Sequence, residues 1–326
     1  MIEVLVDKHL PFACGGTSMV QSLEPPTLTA PQWSADALFY EFSAAVAPKL
    51  PSIPCTTFPA ELHQQGHTQT IHLDLSEQLQ CAAPAISPNL SAAFLRICVN
   101  EHLITYPRAT AQLFYVIRGA GQTESEYGTM AWSAGDLFTL PVSGGATHTA
   151  SEDTALYWVT DEALLNYLGV APLLPRFRPT LYRRERLLAE LERVAQEPGA
   201  RDRNRIAVLL GNTETHLTRS LTHTLWALLV YLPAGEVQKP HRHNSVAVDF
   251  VIDAPPGVYT LVGESLDDQG EIIDGRRVYW QPGSVFVTPP GLWHSHHNES
   301  GQDALLLPIQ DAGFHSYMRT LDQRYA

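Results

Sequence analysis

The order of apolar and polar residues divides the chain into segments of different texture. Residues 1–65 are rich in proline and lack a sustained apolar period, apart from one predicted short helix with Ser34 as its N-cap. From 66 to 165, short apolar alternations are separated by Gly, Pro and Asn, which is the pattern of β-strands joined by tight turns. This pattern predicts a proline-rich arm followed by a β-domain.

Strand-like alternation returns after a helical stretch. Between 166 and 218, leucines recur at three- and four-residue spacings and the run ends at Pro-Gly, which predicts a helical linker. Strand-like segments resume over 219–310 and are followed by a tail, 311–326. Strands, a helical linker and strands again predict a duplicated fold. We therefore expect an all-β protein with two jelly-roll barrels in tandem, joined by a short helical linker.

The composition is that of an ordinary folded chain and argues against two classes of partner. Hydrophobic residues make up 44% and charged residues 17%, a balance typical of globular rather than disordered proteins. The net charge of -13 disfavours nucleic acid, because phosphate backbones attract clusters of Lys and Arg. No apolar run approaches the roughly 20 residues needed to cross a bilayer, and the N-terminus lacks a secretory signal pattern. We therefore expect no nucleic-acid partner and no membrane partner.

The cysteines carry no recognisable metal or disulfide motif. They form no CxxC pair, and we expect them to be free thiols in a reducing cytoplasm. The four are Cys14, Cys55, Cys81 and Cys98.

Histidines in two short stretches near the end of the chain suggest a metal site. Alternate side chains on a strand share a face, so His241 and His243 point the same way. A third imidazole, from His294 on a facing strand, could converge with them on one cation. Imidazole suits Fe, Ni, Cu and Zn, and three neutral ligands leave positions open for substrate, water or dioxygen.

The spacing around these histidines resembles the two motifs of the cupin family. Five residues separate Gly235 from His241, which begins the His-x-His of the first motif. The second motif starts at Gly283 and places its histidine at His294. Its other fixed positions are filled by Pro289, Gly291 and Asn298. The resemblance implies that the second half of the chain is a cupin barrel that holds a metal.

The first half keeps the cupin spacing but not the ligands. Tyr106 and Arg108 stand where the two histidines belong, and Gln112 stands in place of the acid. A later histidine, His148, falls two positions beyond the place of the third ligand. We therefore expect the first barrel, 66–165, to have lost its metal site, although Tyr106, Arg108 and His148 could still form a relict ligand pocket.

The second barrel also departs from the motif at one ligand. The motif's glutamate would fall at 247 or 248, and these positions hold Ala247 and Val248. A divalent metal bound by three neutral imidazoles keeps its full charge. A chelating, anionic substrate is then the natural partner.

Three-histidine bicupins with a "PHRH" and a "WH-H-N" stretch resemble the gentisate 1,2-dioxygenase group, which includes salicylate and 1-hydroxy-2-naphthoate dioxygenases. The resemblance implies that His241, His243 and His294 bind Fe(II), with Zn, Ni or Mn as other possible ions. It also implies that His296 hydrogen-bonds the substrate and that Asp311 is an acidic catalytic residue. In this family an aromatic acid chelates the iron and dioxygen cleaves its ring.

Two residues differ from that group and leave the substrate open. Ser245 replaces a family Gln, and Asp249 replaces a family Arg that contacts the substrate or its surroundings. Asp249 is either a substrate-facing catalytic residue or the partner of an arginine such as Arg276 or Arg277. In addition, well-known members of the group keep their metal in the first barrel, whereas this chain keeps its ligands in the second.

The leading hypothesis is a cytoplasmic ring-cleaving dioxygenase that acts on a small molecule and dioxygen and forms a homo-oligomer, a dimer or a tetramer. One alternative is another metal-dependent cupin enzyme, such as an isomerase or a thiol or diketone dioxygenase. Another is a bicupin that binds a small molecule without turnover. A cationic inward residue near His294 would favour a carboxylated aromatic substrate. An acidic pocket at Asp249 would favour a neutral or amino substrate. A pocket without access to the metal would favour a binding protein.

Overall fold

The computed structural model describes residues 34–46 and 49–326, and the chain divides into two compact units between Lys49 and Leu50. In the first unit a single helical turn, α1 (Phe42–Ala45), follows Glu41, whose carboxylate accepts a hydrogen bond from the backbone of Ala44 at 3.2 Å. The remainder of the predicted arm before residue 34 lies outside the described residues.

The prediction of a helix that starts at Ser34 is wrong. Residues 34–36 form a turn instead, and the helix begins only at Phe42. Every described residue from 34 to 46 is exposed, so no buried face supports a longer helix here. Short isolated helices are marginal without such packing.

The second unit begins with elements that the sequence had suggested were part of the arm. These are β1 (Thr57–Phe58) and α2 (Glu61–Gln64). The first barrel follows as β2 (Gln69–His72), α3 (Ser76–Leu79), β3 (Ser91–Ile97), β4 (His102–Thr105), β5 (Ala111–Arg118), β6 (Ala120–Ser125), β7 (Gly128–Ser133), β8 (Leu137–Pro141), β9 (Ala146–Ala150) and β10 (Thr154–Thr160).

The connection between the barrels contains the two expected helices and also two short strands. Its elements are α4 (Glu162–Leu168), β11 (Thr180–Tyr182), α5 (Arg184–Ala195) and β12 (Ile206–Leu209), with 3₁₀ turns at Ala200–Asp202 and Thr213–Thr215. Helix α5 buries Leu187 and Leu191, which stand four residues apart on one face. The strands are edge strands: β11 extends a sheet of the first barrel and β12 a sheet of the second.

The second barrel and the tail complete the unit. The barrel strands are β13 (Trp226–Leu232), β14 (Val237–His243), β15 (Ala247–Asp253), β16 (Val258–Gly263), β17 (Ser265–Leu266), β18 (Ile272–Ile273), β19 (Arg276–Tyr279), β20 (Val285–Thr288), β21 (Trp293–Asn298) and β22 (Ala304–Gln310). The tail forms α6 (Ala312–Met318) and β23 (Gln323–Tyr325).

Both barrels share one strand order. The six-stranded sheet of the first runs β11-β8-β5-β10-β3-β2, and that of the second runs β1-β20-β15-β22-β13-β12. The facing sheet runs β4-β9-β6-β7 in the first barrel and β19-β16-β21-β14-β23 in the second. When the second order is taken from its other end, the strands that correspond to β4, β9, β6 and β7 are β14, β21, β16 and β19. The expected all-β fold of two tandem jelly-roll barrels is confirmed.

The two barrels pack through their six-stranded sheets. The cluster between these sheets includes Tyr157 from β10 and Phe250 from β15, whose ring centroids lie 5.4 Å apart. Each barrel also has its own interior cluster. Along β15, Phe250 faces the first barrel and Val251 faces the interior of the second. By the alternation of a strand, Asp249 points into that interior as well.

Two further features complete the description. No helix in the described residues is long and apolar enough to span a bilayer. Cys55, Cys81 and Cys98 are free thiols, and Cys14 lies outside the described residues.

Candidate metal centre

Three histidines come together inside the second barrel. His241 and His243 lie on β14, and His294 lies on β21. Their candidate ligand atoms all fall within 4.8 Å of one another, and all three side chains are buried. The strands are hydrogen-bonded neighbours with His241 directly opposite His294, rather than facing strands as expected. Cross-strand pairing and the two-residue period of β14 therefore bring the imidazoles together.

The surroundings of two of these rings select the nitrogen that could bind a metal. Nδ1 of His243 lies 2.8 Å from the carbonyl oxygen of Ser245, and Nδ1 of His294 lies 3.1 Å from that of Leu292. A carbonyl only accepts, so each Nδ1 carries the hydrogen and each Nε2 keeps its lone pair. Metal-binding imidazoles are commonly oriented in this way by a backbone carbonyl.

The three imidazoles are neutral near pH 7. Burial, the main cause, lowers the pKa of His243 to about 4, and it lowers the pKa values of His241 and His294 well below their usual range. The neighbouring histidines and the cation of Arg205 lower the pKa of His241 further. Neutral imidazole is the form that binds metals, so the donor set fits a divalent transition-metal ion.

A positive charge lies at the same centre. Arg205, from the segment just before β12, places Nη2 2.7 Å from Nδ1 of His241 and also contacts Nε2 of that ring. Burial lowers the pKa of Arg205 to about 10, so the side chain remains a cation at pH 7. Arg205 could not be predicted from the sequence, because the stretch between α5 and β12 has no strand or helix period that would show which side chains point inward.

Asp249 lies in the same interior on the opposing sheet. Its Oδ2 accepts a hydrogen bond from the hydroxyl of Thr288 at 2.6 Å. Burial raises the pKa of Asp249 to about 7, against the opposing effects of the Thr288 hydrogen bond and the Arg205 charge. Neither Arg276 nor Arg277 bonds to it: Arg276 donates to the carbonyl of Cys55 and Arg277 lies over the ring of Tyr259. Its charged neighbour is therefore Arg205.

His296 shares the inward face of β21 with His294, and their ring centroids lie 6.1 Å apart. Its Nδ1 lies 2.9 Å from the hydroxyl of Thr260, and that hydroxyl also accepts a hydrogen bond from the indole of Trp280 at 2.8 Å. The next residue, His297, stacks on Tyr259 on the other face of the strand. His296 is thus a fourth histidine at the edge of the three-histidine cluster.

Asp311 lies elsewhere, at the junction of the two barrels. Its carboxylate accepts a hydrogen bond from the backbone of Val246 at 2.9 Å, contacts the amide of Asn89 in the first barrel and pairs with His315 at 3.2 Å. The residue borders a cavity of about 740 Å³ that also touches Asn244, the residue after His243. The structure therefore places Asp311 behind the loop that follows the ligand strand, and not among the histidines.

In the first barrel the three residues of the possible relict pocket are not brought together. Tyr106 and Arg108 are exposed, whereas His148 is fully buried. The motif spacing explains why His148 falls two positions late. Ala146, eleven residues after Gly135, takes the place that His294 takes eleven residues after Gly283. His148 is the counterpart of His296.

Comparisons with known proteins agree with this arrangement. No protein-family model matches the chain. The chain is similar to the 5-aminosalicylate 1,2-dioxygenase of a Comamonas species, with 31% identity over 140 residues that cover 41% of this chain and 34% of that protein. It is also similar to a gentisate 1,2-dioxygenase of a Streptomyces species, with 31% identity over 160 residues that cover 46% and 41%.

Solved structures extend the similarity over most of the chain. A salicylate 1,2-dioxygenase from Pseudaminobacter salicylatoxidans has a TM-score of 0.63 and 17% identity, and the match covers 86% of this chain and 90% of that one. An oxalate decarboxylase has a TM-score of 0.52 and 16% identity. The solved structures show the tandem cupin fold. The curated relatives confirm the resemblance to the gentisate dioxygenase group. The chain spans 34% and 41% of the lengths of the two curated relatives named above.

Proposed function

We propose that the protein is an Fe(II)-dependent dioxygenase that cleaves the ring of a small hydroxylated aromatic acid. One observation carries this proposal: three buried, neutral imidazoles converge at a point that the partly buried Arg205 also reaches. A metal at that point would be cationic, and Arg205 adds to the charge. The site is therefore suited to an anion that chelates the metal.

The ion would be held by His241, His243 and His294. Two of the three rings already present Nε2, because their Nδ1 atoms are bonded to backbone carbonyls. Bound there, Fe(II) would polarise the chelated aromatic and supply the redox chemistry that activates dioxygen. With three protein ligands, positions would remain for the two substrate oxygens and for dioxygen.

Arg205 would bind the carboxylate of the substrate. Its guanidinium lies beside His241, next to the ligand set, and is partly shielded from water. A charge-assisted hydrogen bond in such a site is stronger than one between neutral groups, and a guanidinium can bind both carboxylate oxygens. A cationic inward residue near the histidines is the feature that favours a carboxylated aromatic among the alternatives raised by the sequence.

Asp249 favours an amino-substituted member of this substrate class. It provides a buried carboxyl group inside the barrel, where the gentisate group commonly has an arginine. This carboxyl group can accept hydrogen bonds from an amino group in either protonation state, and its ionised form would repel a second acidic substituent. One of the relatives is named a 5-aminosalicylate 1,2-dioxygenase, which supports including aminohydroxybenzoates among the candidate substrates.

Asp311 would act through the backbone and not through the substrate. Its carboxylate holds the N–H of Val246, three residues after the ligand His243, and pairs with His315 on α6. It therefore anchors the turn between β14 and β15. We propose a positioning role for Asp311 in place of the catalytic role that the resemblance implied.

Oxygen uptake tests the proposed function. The protein would be reconstituted anaerobically with Fe(II) and offered gentisate, salicylate, 1-hydroxy-2-naphthoate, aminohydroxybenzoates and catechols. We expect uptake with at least one carboxylated phenol and none in the His294→Ala variant. Metal bound at one equivalent per chain without uptake on any substrate would argue against a dioxygenase. It would favour the alternatives of another cupin reaction or a binding protein.

The expected homo-oligomer remains a prediction. Large apolar side chains are exposed at the end of α4 and just after it, and the most exposed are Tyr167 (81%), Leu173 (89%) and Leu174 (69%). A second copy of the chain could cover this surface. Light scattering on the purified protein would give the oligomer number, and a monomer over the micromolar range would contradict the prediction.

A further inference from the structure

The two barrels contain the same three-residue hydrogen-bonded chain. In the second barrel, the indole of Trp280 donates to the hydroxyl of Thr260 at 2.8 Å, and that hydroxyl lies 2.9 Å from Nδ1 of His296. In the first barrel, Trp132 donates to Thr123 at 2.9 Å, and the hydroxyl lies 2.8 Å from Nδ1 of His148. The same hydrogen-bonded series of Trp, Thr and His is thus present in the barrel with the candidate metal ligands and in the barrel without them.

The direction of the hydrogen bonds follows from counting donors. An indole N–H can only donate, so Thr260 accepts from Trp280. The Thr260 hydroxyl hydrogen then needs an acceptor. Thr260 is fully buried, and within the described part of the chain Nδ1 of His296 is the only other group bonded to its hydroxyl. A buried donor left without an acceptor is destabilising, so Thr260 donates to Nδ1.

A neutral imidazole carries one hydrogen, so an accepting Nδ1 leaves that hydrogen on Nε2. The first barrel supports the same direction, because Nε2 of His148 lies 3.0 Å from the hydroxyl of Thr105, which can accept it. In the second barrel none of the described residues hydrogen-bonds Nε2 of His296. That nitrogen is on the far side of the ring from Thr260. The centroid of the His296 ring lies 6.1 Å from that of His294 and 6.3 Å from that of His241.

We propose that Trp280 and Thr260 are positioning residues that hold His296 as the Nε2–H tautomer, so that it presents a hydrogen-bond donor at the three-histidine centre. The donor would bind an anionic oxygen of the substrate. His296 would therefore orient the substrate and would not remove its proton. The role of His296 in binding the substrate rests on the proposed function. The tautomer of His296 does not depend on that function.

Nitrogen NMR on the metal-free protein labelled with ¹⁵N-histidine tests the tautomer without turnover. The two ring nitrogens of a neutral histidine have distinct shifts according to which one is protonated. The resonances of His296 and His148 would be assigned by their loss in His296→Gln and His148→Gln. We expect Nε2–H at both residues, and an Nδ1–H tautomer at His296 in the wild-type protein would overturn the proposal. The tautomer of His296 is measured in the wild-type protein, so this test remains valid even if every Thr260 variant fails to fold.

Matched variants separate positioning from a structural role. Thr260→Val removes the hydroxyl at nearly constant shape, Thr260→Ser keeps it, and Thr123→Val makes the same change in the barrel without ligands. We expect Thr260→Val to mix the His296 tautomers and to weaken anaerobic gentisate binding to the zinc-loaded protein by about tenfold. Thr260→Ser should restore both readouts, and Thr123→Val should change neither.

Two results would count against the positioning role. One is an unchanged His296 tautomer in Thr260→Val. The other is an equal loss of gentisate binding in Thr260→Val and Thr123→Val. Failure of the proposed function would look different, because gentisate and the other aromatic acids would then fail to bind the wild-type protein while the His296 tautomer stayed Nε2–H.

Discussion

His241 lies directly opposite His294 on neighbouring antiparallel strands, and their ring centroids are 3.9 Å apart. A cross-strand pair of this kind is fixed by the register of β14 and β21 and not by flexible loops. His243 joins the pair two residues along β14. The geometry of the centre therefore depends on the pairing of these strands as much as on the three ligands.

Replacing one member of the pair should abolish metal binding. His294→Ala leaves two imidazoles, and we expect the affinity for Fe(II) or Zn(II) to fall on the order of 100-fold or more, because each ligand contributes directly to the binding free energy. The control is His297→Ala, on the outer face of the same strand against Tyr259. Metal content after equilibrium dialysis measures both variants. Equal metal content in the two would show that the cluster is not the binding site.

Arg205 should control selectivity for carboxylates. Arg205→Gln removes the partly buried cation beside His241. We expect kcat/KM for a carboxylated phenol to fall by about 10- to 100-fold, as for a lost charge-assisted hydrogen bond. The matching carboxamide should be affected far less. Arg203→Gln is the control, since Arg203 is exposed and pairs with Glu197. A similar loss for acid and amide in Arg205→Gln would contradict the proposed contact.

Asp249 should make stability depend on pH in a defined direction. Burial raises its pKa from the usual 3.8 to about 7, so the folded protein keeps a proton that the unfolded chain releases. As the pH rises from about 4 to about 7, this group should lower the free energy of unfolding, by about 4 kcal/mol at most. Asp249→Asn should lack that part of the slope. Denaturant unfolding of both proteins across this range measures the difference, and parallel curves would be inconsistent with a protonated Asp249.

The tail strand should support the metal site. Strand β23 pairs with the ligand strand, with Tyr325 opposite His241 and Gln323 opposite His243. The backbone N–H of Asp322 donates to Oδ1 of Asn244 at 2.9 Å, and the backbone N–H of Asn244 donates to the carbonyl oxygen of Asp322 at 3.1 Å. Deleting residues 321–326 would leave β14 at the edge of its sheet. We expect metal affinity to fall by about tenfold, the lower end of the range for outer-shell changes.

A single substitution in the tail provides the control for that deletion. Arg324 is exposed and forms an ion pair with its own neighbour Asp322. Arg324→Ala should therefore leave metal affinity unchanged. If competition with a chelator gave the same affinity for the truncated and wild-type proteins, the tail strand would have no part in holding the ligands.

The ligands could be predicted from the sequence because they repeat with the period of a strand and fit a fixed spacing. His241 and His243 alternate across Arg242, and the strand order then places His294 beside them. The duplication could be predicted for the same reason, since both halves keep the spacing of turns and strands. His148 looked misplaced only because its counterpart is His296 and not His294.

Other parts of the site have no sequence signal. Arg205 enters the barrel from the stretch between α5 and β12, whose residues follow neither a strand nor a helix period, so only tertiary packing reveals its direction. The hydrogen bonds that join Trp280, Thr260 and His296 connect two strands, β16 and β21, and the residue after β19, which are separated in sequence. The predicted helix at Ser34 was wrong because helix propensity without a buried face does not stabilise a helix.

The most direct test of the account is the fate of oxygen-18 gas in the reaction of the Fe(II)-loaded protein. The reaction would use whichever aromatic acid in the oxygen-uptake panel is consumed, and the product would be analysed by mass spectrometry. The account predicts a ring-opened product that contains both labelled oxygen atoms, formed by the wild-type protein and not by His294→Ala. A fully loaded metal site with no labelled product from any member of the panel would contradict it.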